Sequence, residues 1–114
     1  MSDADFSRNV ITAVSAEALA LRVESHDLSV SWRSVRAVDA TRARWDEETW
    51  ILALVVELHV EGEERVFIAG DVEPIWTSLV ETLPVALPGI PDITPIRDAL
   101  LHADAPVPLY RSGF

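Results

Sequence analysis

From Leu19 to Val60 the apolar residues of this chain return at nearly every second position, and that period admits few folds. A period of two places side chains alternately on the two faces of a strand, so it marks half-buried β-structure. LALRVE sets Leu19, Leu21 and Val23 on one face, and LSVSW repeats the device with Leu28, Val30 and Trp32. VITAV (10–14) precedes them as a short β-branched run, and VRAVDATRARW (35–45) follows with Arg36, Arg42 and Arg44 in phase with Val38. WILALVVELHV (50–60) is the longest run. Trp50, Leu52, Leu54, Val56, Leu58 and Val60 share one face, while Ile51, Ala53 and Val55 make the other face apolar too. RVFIAG (65–70) returns after EGEE. The intervening SAEA, SHD, DEET and EGEE are short turns, so consecutive strands are antiparallel neighbours; a parallel pair needs a crossover of a dozen residues or more.

After Gly70 the period becomes 3.6. Trp76, Leu79, Val80 and Leu83 fall at i, i+3, i+4 and i+7, which predicts an amphipathic helix. Asp71 is a suitable N-cap, Pro74 suits a first turn, and Pro84 ends the helix or follows its end. LPGIPDITP reads as a loop. Thr94 and Pro95 can open a second helix with Ile96, Ala99, Leu100 and Ala103 as its buried stripe. The tail PVPLYRSGF is extended and available to lie across the domain or add to a sheet edge. The predicted fold is therefore α+β: a loose segment 1–8, an antiparallel sheet over 9–70, a helical part over 71–104 and a tail over 105–114, in one domain. Six strands are legible.

Composition narrows what such a domain can do. The net charge is −10, and all nine basic residues are arginine. Nucleic acids and anionic membranes are held by concentrated positive charge, so neither is an expected partner. There is no cysteine, hence no disulfide, thiolate metal site or cysteine nucleophile. The longest unbroken apolar stretch, WILALVV, is far shorter than the ~20 residues of a spanning helix. The first residues also lack a basic-then-apolar leader, so the expected location is cytoplasmic.

The stretch LSVSWRSVRAVDA (28–40) resembles the strand–turn–strand of bacterial pleckstrin-homology-like domains. Leu28, Val30 and Trp32 match its apolar strand ending in an aromatic, Arg33 and Ser34 the polar pair, and Val35 the start of the next strand. The resemblance extends over about residues 10–85. It implies a bent antiparallel sheet or partly open barrel of seven strands, plugged by a helix that here carries Trp76 and Leu79. The chain departs from it in showing six strands and a second helix; a break near Val38–Thr41 would restore the count. Members that grip phosphoinositides do so with a basic first hairpin loop. The matching loop here is SAEA, with Glu17 and no positive charge, so that ligand does not carry over.

No catalytic constellation stands out. Glu57 and His59 share a face but lack a third member. The acids of WDEETW and EGEE do not follow a calcium-loop pattern. No histidine pair has zinc spacing, and no glycine-rich cradle exists for a cofactor. Catalytic residues, metal and cofactors are accordingly not expected. If DEET is a four-residue loop, Trp45 and Trp50 face each other across a hairpin, an arrangement that stabilises the tip by about 0.2–1 kcal/mol without any ligand. The alternative is an aromatic rim for a sugar or cation.

The two-faced apolarity of residues 50–56 is the strongest functional signal. An antiparallel sheet normally keeps one face in water, so something has to cover the second: helices, tail or another subunit. The expected interaction surface comprises Trp45, Trp50, Ile51, Ala53, Val55 and Arg42, with a second copy as partner in a homodimer. The alternative is a small molecule in an apolar pocket between helix and sheet, lined by Trp32, Phe67 and Trp76.

Overall fold

The structure is a computed structural model, and it describes residues 9–112 of the 114. The loose segment expected at 1–8 lies outside the described residues. Seven antiparallel strands form two sheets that do not close into a barrel. The small sheet is a meander of β1 (Asn9–Val14), β2 (Ala18–Val23) and β3 (His26–Ser31). A single 3-10 turn, Trp32–Ser34, carries the chain to the second sheet. There β4 (Val35–Arg44), β5 (Trp50–Val60) and β6 (Glu63–Gly70) form another meander. β7 (Val107–Arg111) then adds beside β4, giving the order β6-β5-β4-β7. The seventh strand thus comes from the C-terminal tail, after the helices. β4 is not divided near Val38–Thr41.

Alternation explains the core. Leu19, Leu21 and Val23 of β2 and Val38, Ala40, Leu52, Leu54, Val56, Leu58, Val60 and Phe67 of the large sheet meet in one cluster. The parity expected for β4 fails at one point. Val35 pairs with Leu58 and Ala37 with Glu57, which leaves Arg36 as a bulge. A bulge inserts one residue and turns the strand; Val35 and Val38 therefore both point inward, and Arg36 swings out toward Glu64, 3.8 Å away. Arg36 consequently does not share the inner face with Val38, Arg42 and Arg44.

Two turns use left-handed backbone. Glu61 and Gly62 both have positive φ (51° and 85°) between the paired Val60 and Glu63, as a two-residue primed hairpin turn requires. Glu24 and Ser25 do the same without a glycine, which places the turn one residue earlier than SHD.

Helix α1 spans Ile75–Ala86 and buries Leu79 and Leu83, with Trp76 and Val80 half-buried beside them. It starts later than an Asp71 cap would place it. The Asp71 N–H instead continues the ladder to the Leu52 carbonyl at 2.9 Å, and its carboxylate holds Arg97. Pro84 lies inside the last turn rather than ending the helix. α2 is only Arg97–Leu101 and buries Leu100 alone, while Ile96 remains exposed and Ala99 and Ala103 are not buried. The missing apolar cover comes from the connecting loop, whose Leu87, Ile90 and Ile93 join the core. No helix among the described residues is long and apolar enough to cross a membrane.

Candidate functional site

Each strand of the large sheet shows one face to the core and one outward, and the pairing register identifies them. Leu54 pairs with Ala40 and Ala69, and Val56 with Val38 and Phe67, all on the inner face. Val55 pairs with Asp39 and Ile68, and Glu57 with Ala37 and Val66, all on the outer face. Ile68 is 58% exposed and Val66 48%. Val55 is half-buried between them and β4. Ile51 and Ala53 are buried on this same face. Ile51 lies against Gly70 so closely that a Cβ there would sit 2.7 Å from its Cδ1.

The outer face has a polar end. Arg111 of β7 donates to Asp39 at 2.6 Å, and His59 Nδ1 lies 3.1 Å from Glu64, which also faces Arg36. These charges are matched within the face. Between them an apolar stretch runs from Val66 and Ile68 through Val55 toward the hairpin tip, with Asp39 beside Val55, exposed Glu57 beside Val66 and Thr41 beside Ala53. Glu57 and His59 do lie on one face, but His59 engages Glu64, and among the described residues no three metal-ligating side chains come together.

The tip corrects one expectation. Arg44 pairs with Trp50, and the Trp45 N–H donates to the Thr49 carbonyl at 2.9 Å, so the loop is Asp46–Glu48 and Thr49 belongs to the pairing. The cause is the Asp46 carboxylate. Its Oδ1 accepts the N–H groups of Glu48 and Thr49 at 2.9 and 2.8 Å, closing the turn one residue sooner. Those bonds, from Glu48 foremost and then Thr49, hold the Asp46 carboxyl below the ordinary 3.8. With a three-residue loop the parity changes, and the two indoles lie on opposite faces. Trp45, 57% exposed, extends the outer apolar face. Trp50 lies on the inner side beyond the core, where the guanidiniums of Arg42 and Arg44 stack over it at 4.6 and 5.0 Å. Arg44 is further pinned by the carbonyls of Asp46 and Glu47.

Of the residues expected to share an interaction surface, the structure therefore brings together Trp45, Ile51, Ala53 and Val55 and separates Trp50 and Arg42 from them. Val66 and Ile68 were missed, although RVFIAG is apolar at both parities and announced them as plainly as WILALVV announced Ile51. Trp32, Phe67 and Trp76 belong to the packed interior. Trp32 and Phe67 are buried, Trp76 packs against the same cluster, and the Trp32 indole N–H donates to the Ser15 carbonyl at 2.7 Å. The groove between helix and sheet lies elsewhere, between β1 and the start of α1.

No family model, no curated protein and no solved structure matches this chain. What the coordinates define is the class: a small α+β domain of antiparallel strands with one main helix.

Proposed function

We propose that this domain is a non-catalytic assembly module that pairs with a second copy of itself through the outer face of β4, β5 and β6. The observation that carries the reading is the apolar stretch formed by Val66, Ile68 and Val55 and extended by Trp45, which no element among the described residues overlies. Exposed apolar patches of this kind mark interaction sites. A twofold axis needs a self-complementary surface, and a largely apolar sheet face meets that need, with Arg111–Asp39 and Arg36–Glu64 paired on it and Glu57 exposed beside Val66.

Three strands about 4.8 Å apart over about eight residues of 3.3 Å give a footprint of about 14 by 26 Å. That is roughly half the ~800 Å² per partner of a standard interface, so the dimer belongs to the weak, reversible class. Two sheets with a helix against their seam also support a pleckstrin-homology-like ancestry, in a variant whose last strand follows the helices. Light scattering after size exclusion tests the reading. The native chain should be dimeric at high micromolar concentration, and Ile68→Glu monomeric with its circular dichroism unchanged. A native chain that stays monomeric throughout that range would refute the proposal.

A further inference from the structure

The two sheets leave four strand edges: β1 and β3 in the small sheet, β6 and β7 in the large one. An open edge offers unpaired N–H and C=O groups to any passing strand, and proteins guard such edges with charge, proline or covering elements. Three of the four are guarded by sequence. β3 begins with His26 and Asp27, β6 with Glu63, Glu64 and Arg65, and β7 contains Pro108 and ends at Arg111. β1, Asn9–Val14, has neither charge nor proline, and its neighbours besides β2 are β6 and α1. Half of its backbone groups point away from β2. Among the described residues, the only backbone bond linking the neighbourhood of β1 to another segment outside the ladder is Ser15 to Ala18.

That edge is also the one beside which the molecule has a groove. Residues 10–14 form one wall, and Glu73, Pro74, Ile75 and Ser78 at the start of α1 form the other, around about 480 Å³. Its lining is mostly apolar, from Val10, Ile11, Val14, Pro74 and Ile75. Its one charged residue is Glu73, whose Oε1 accepts the Gly70 N–H at 3.2 Å. Five residues of strand extend about 16 Å, long enough for a short extended peptide. The bulge at Thr12 limits the regular ladder to a few residues.

We propose that the groove between β1 and α1 binds an extended, basic peptide segment of another protein, which adds to β1 as a fourth strand of the small sheet. Backbone bonds to the β1 edge would supply affinity, and alternate apolar side chains would enter the groove beside Ile75. A cationic residue facing Glu73 would give direction, favoured by a domain of net charge −10. This goes beyond the self-association proposed above, since it uses the opposite sheet and a different partner.

The test uses a fluorescein-labelled peptide of alternating valine and threonine with two arginines, beside a version with glutamates for the arginines and one with prolines interspersed. The arginine peptide should bind and slow amide exchange at residues 10–14, and the other two should bind more weakly or not at all. Glu73→Gln keeps the oxygen that receives the Gly70 N–H, so the fold should persist while affinity falls about threefold, as for a half-exposed ion pair. Ser78→Trp fills the groove from an exposed helix position and should abolish binding. Equal binding of the glutamate peptide, binding indifferent to Ser78→Trp, or no protection of residues 10–14 would each overturn the proposal. So would a groove that takes a small apolar dye, displaced by Ser78→Trp, but no peptide. Light scattering on Ile68→Glu reads the separate question of the dimer.

Discussion

The two faces of β5 are built from similar residues and meet different fates. Inward, Leu52, Leu54, Val56, Leu58 and Val60 are all buried under the small sheet, the helices and their connecting loop. Outward, Ile51 and Ala53 are buried, Val55 and His59 only in part, and Glu57 faces water. The same contrast continues on β6, where buried Phe67 stands beside exposed Ile68. Apolarity tells how much surface a strand needs covered. It does not tell which element supplies the cover, and on the outer face Val66, Ile68 and Trp45 stay open.

The sharpest way to break this comparison is to truncate adjacent residues. Phe67→Ala removes a fully buried ring and should cost about 3–5 kcal/mol in chemical denaturation. Ile68→Ala should cost the monomer less than about 1 kcal/mol, with its effect falling on association instead. Equal losses would mean that the outer face is covered after all.

A smaller effect is expected where the outer face is closed. Gly70→Ala drives a methyl against Ile51 Cδ1, and overpacking of that kind costs about 1–3 kcal/mol. Ile51→Val in the same chain should recover much of it, because it deletes the atom in the way. A Gly70→Ala variant as stable as the parent would show that Ile51 is loosely held.

The smallest effect lies at the tip, where the faces part. Asp46 titrates below its ordinary range because its charged form accepts the Glu48 and Thr49 N–H groups. A depressed folded value means that its contribution is fully present above the unfolded value of about 3.9 and lost as pH falls through the folded one. The protection of the Glu48 and Thr49 amides against exchange should therefore be lost only once pH falls below the ordinary carboxylate value. Asp46→Asn should show no such acid-induced step.

Much of the fold could be read from particular residues. Leu19, Leu21 and Val23 announced β2, and Trp76, Leu79, Val80 and Leu83 announced the buried side of α1. What escaped depended on single local bonds or distant partners. The Asp46 carboxylate shortened a loop by one residue and sent Trp45 and Trp50 to opposite faces. The Arg36 bulge reversed one position of β4. Ile90 and Ile93 entered the core from a loop that proline and glycine had marked as mere connection. Of the candidate site, Trp45, Ile51, Ala53 and Val55 were legible by parity; Val66 and Ile68 were visible in sequence but gained meaning only once β6 was seen to pair with β5.

By itself the sequence determined the pleated stretch 9–70, the change to helix after Gly70 and the absence of concentrated positive charge, because each follows from residue spacing or charge along the chain. Tertiary structure decided which apolar face is sealed and which stays open, where the seventh strand lies and that β1 borders a groove. Those outcomes depend on which distant segments meet, and hydrophobic burial is indifferent to the identity of the segment that supplies it.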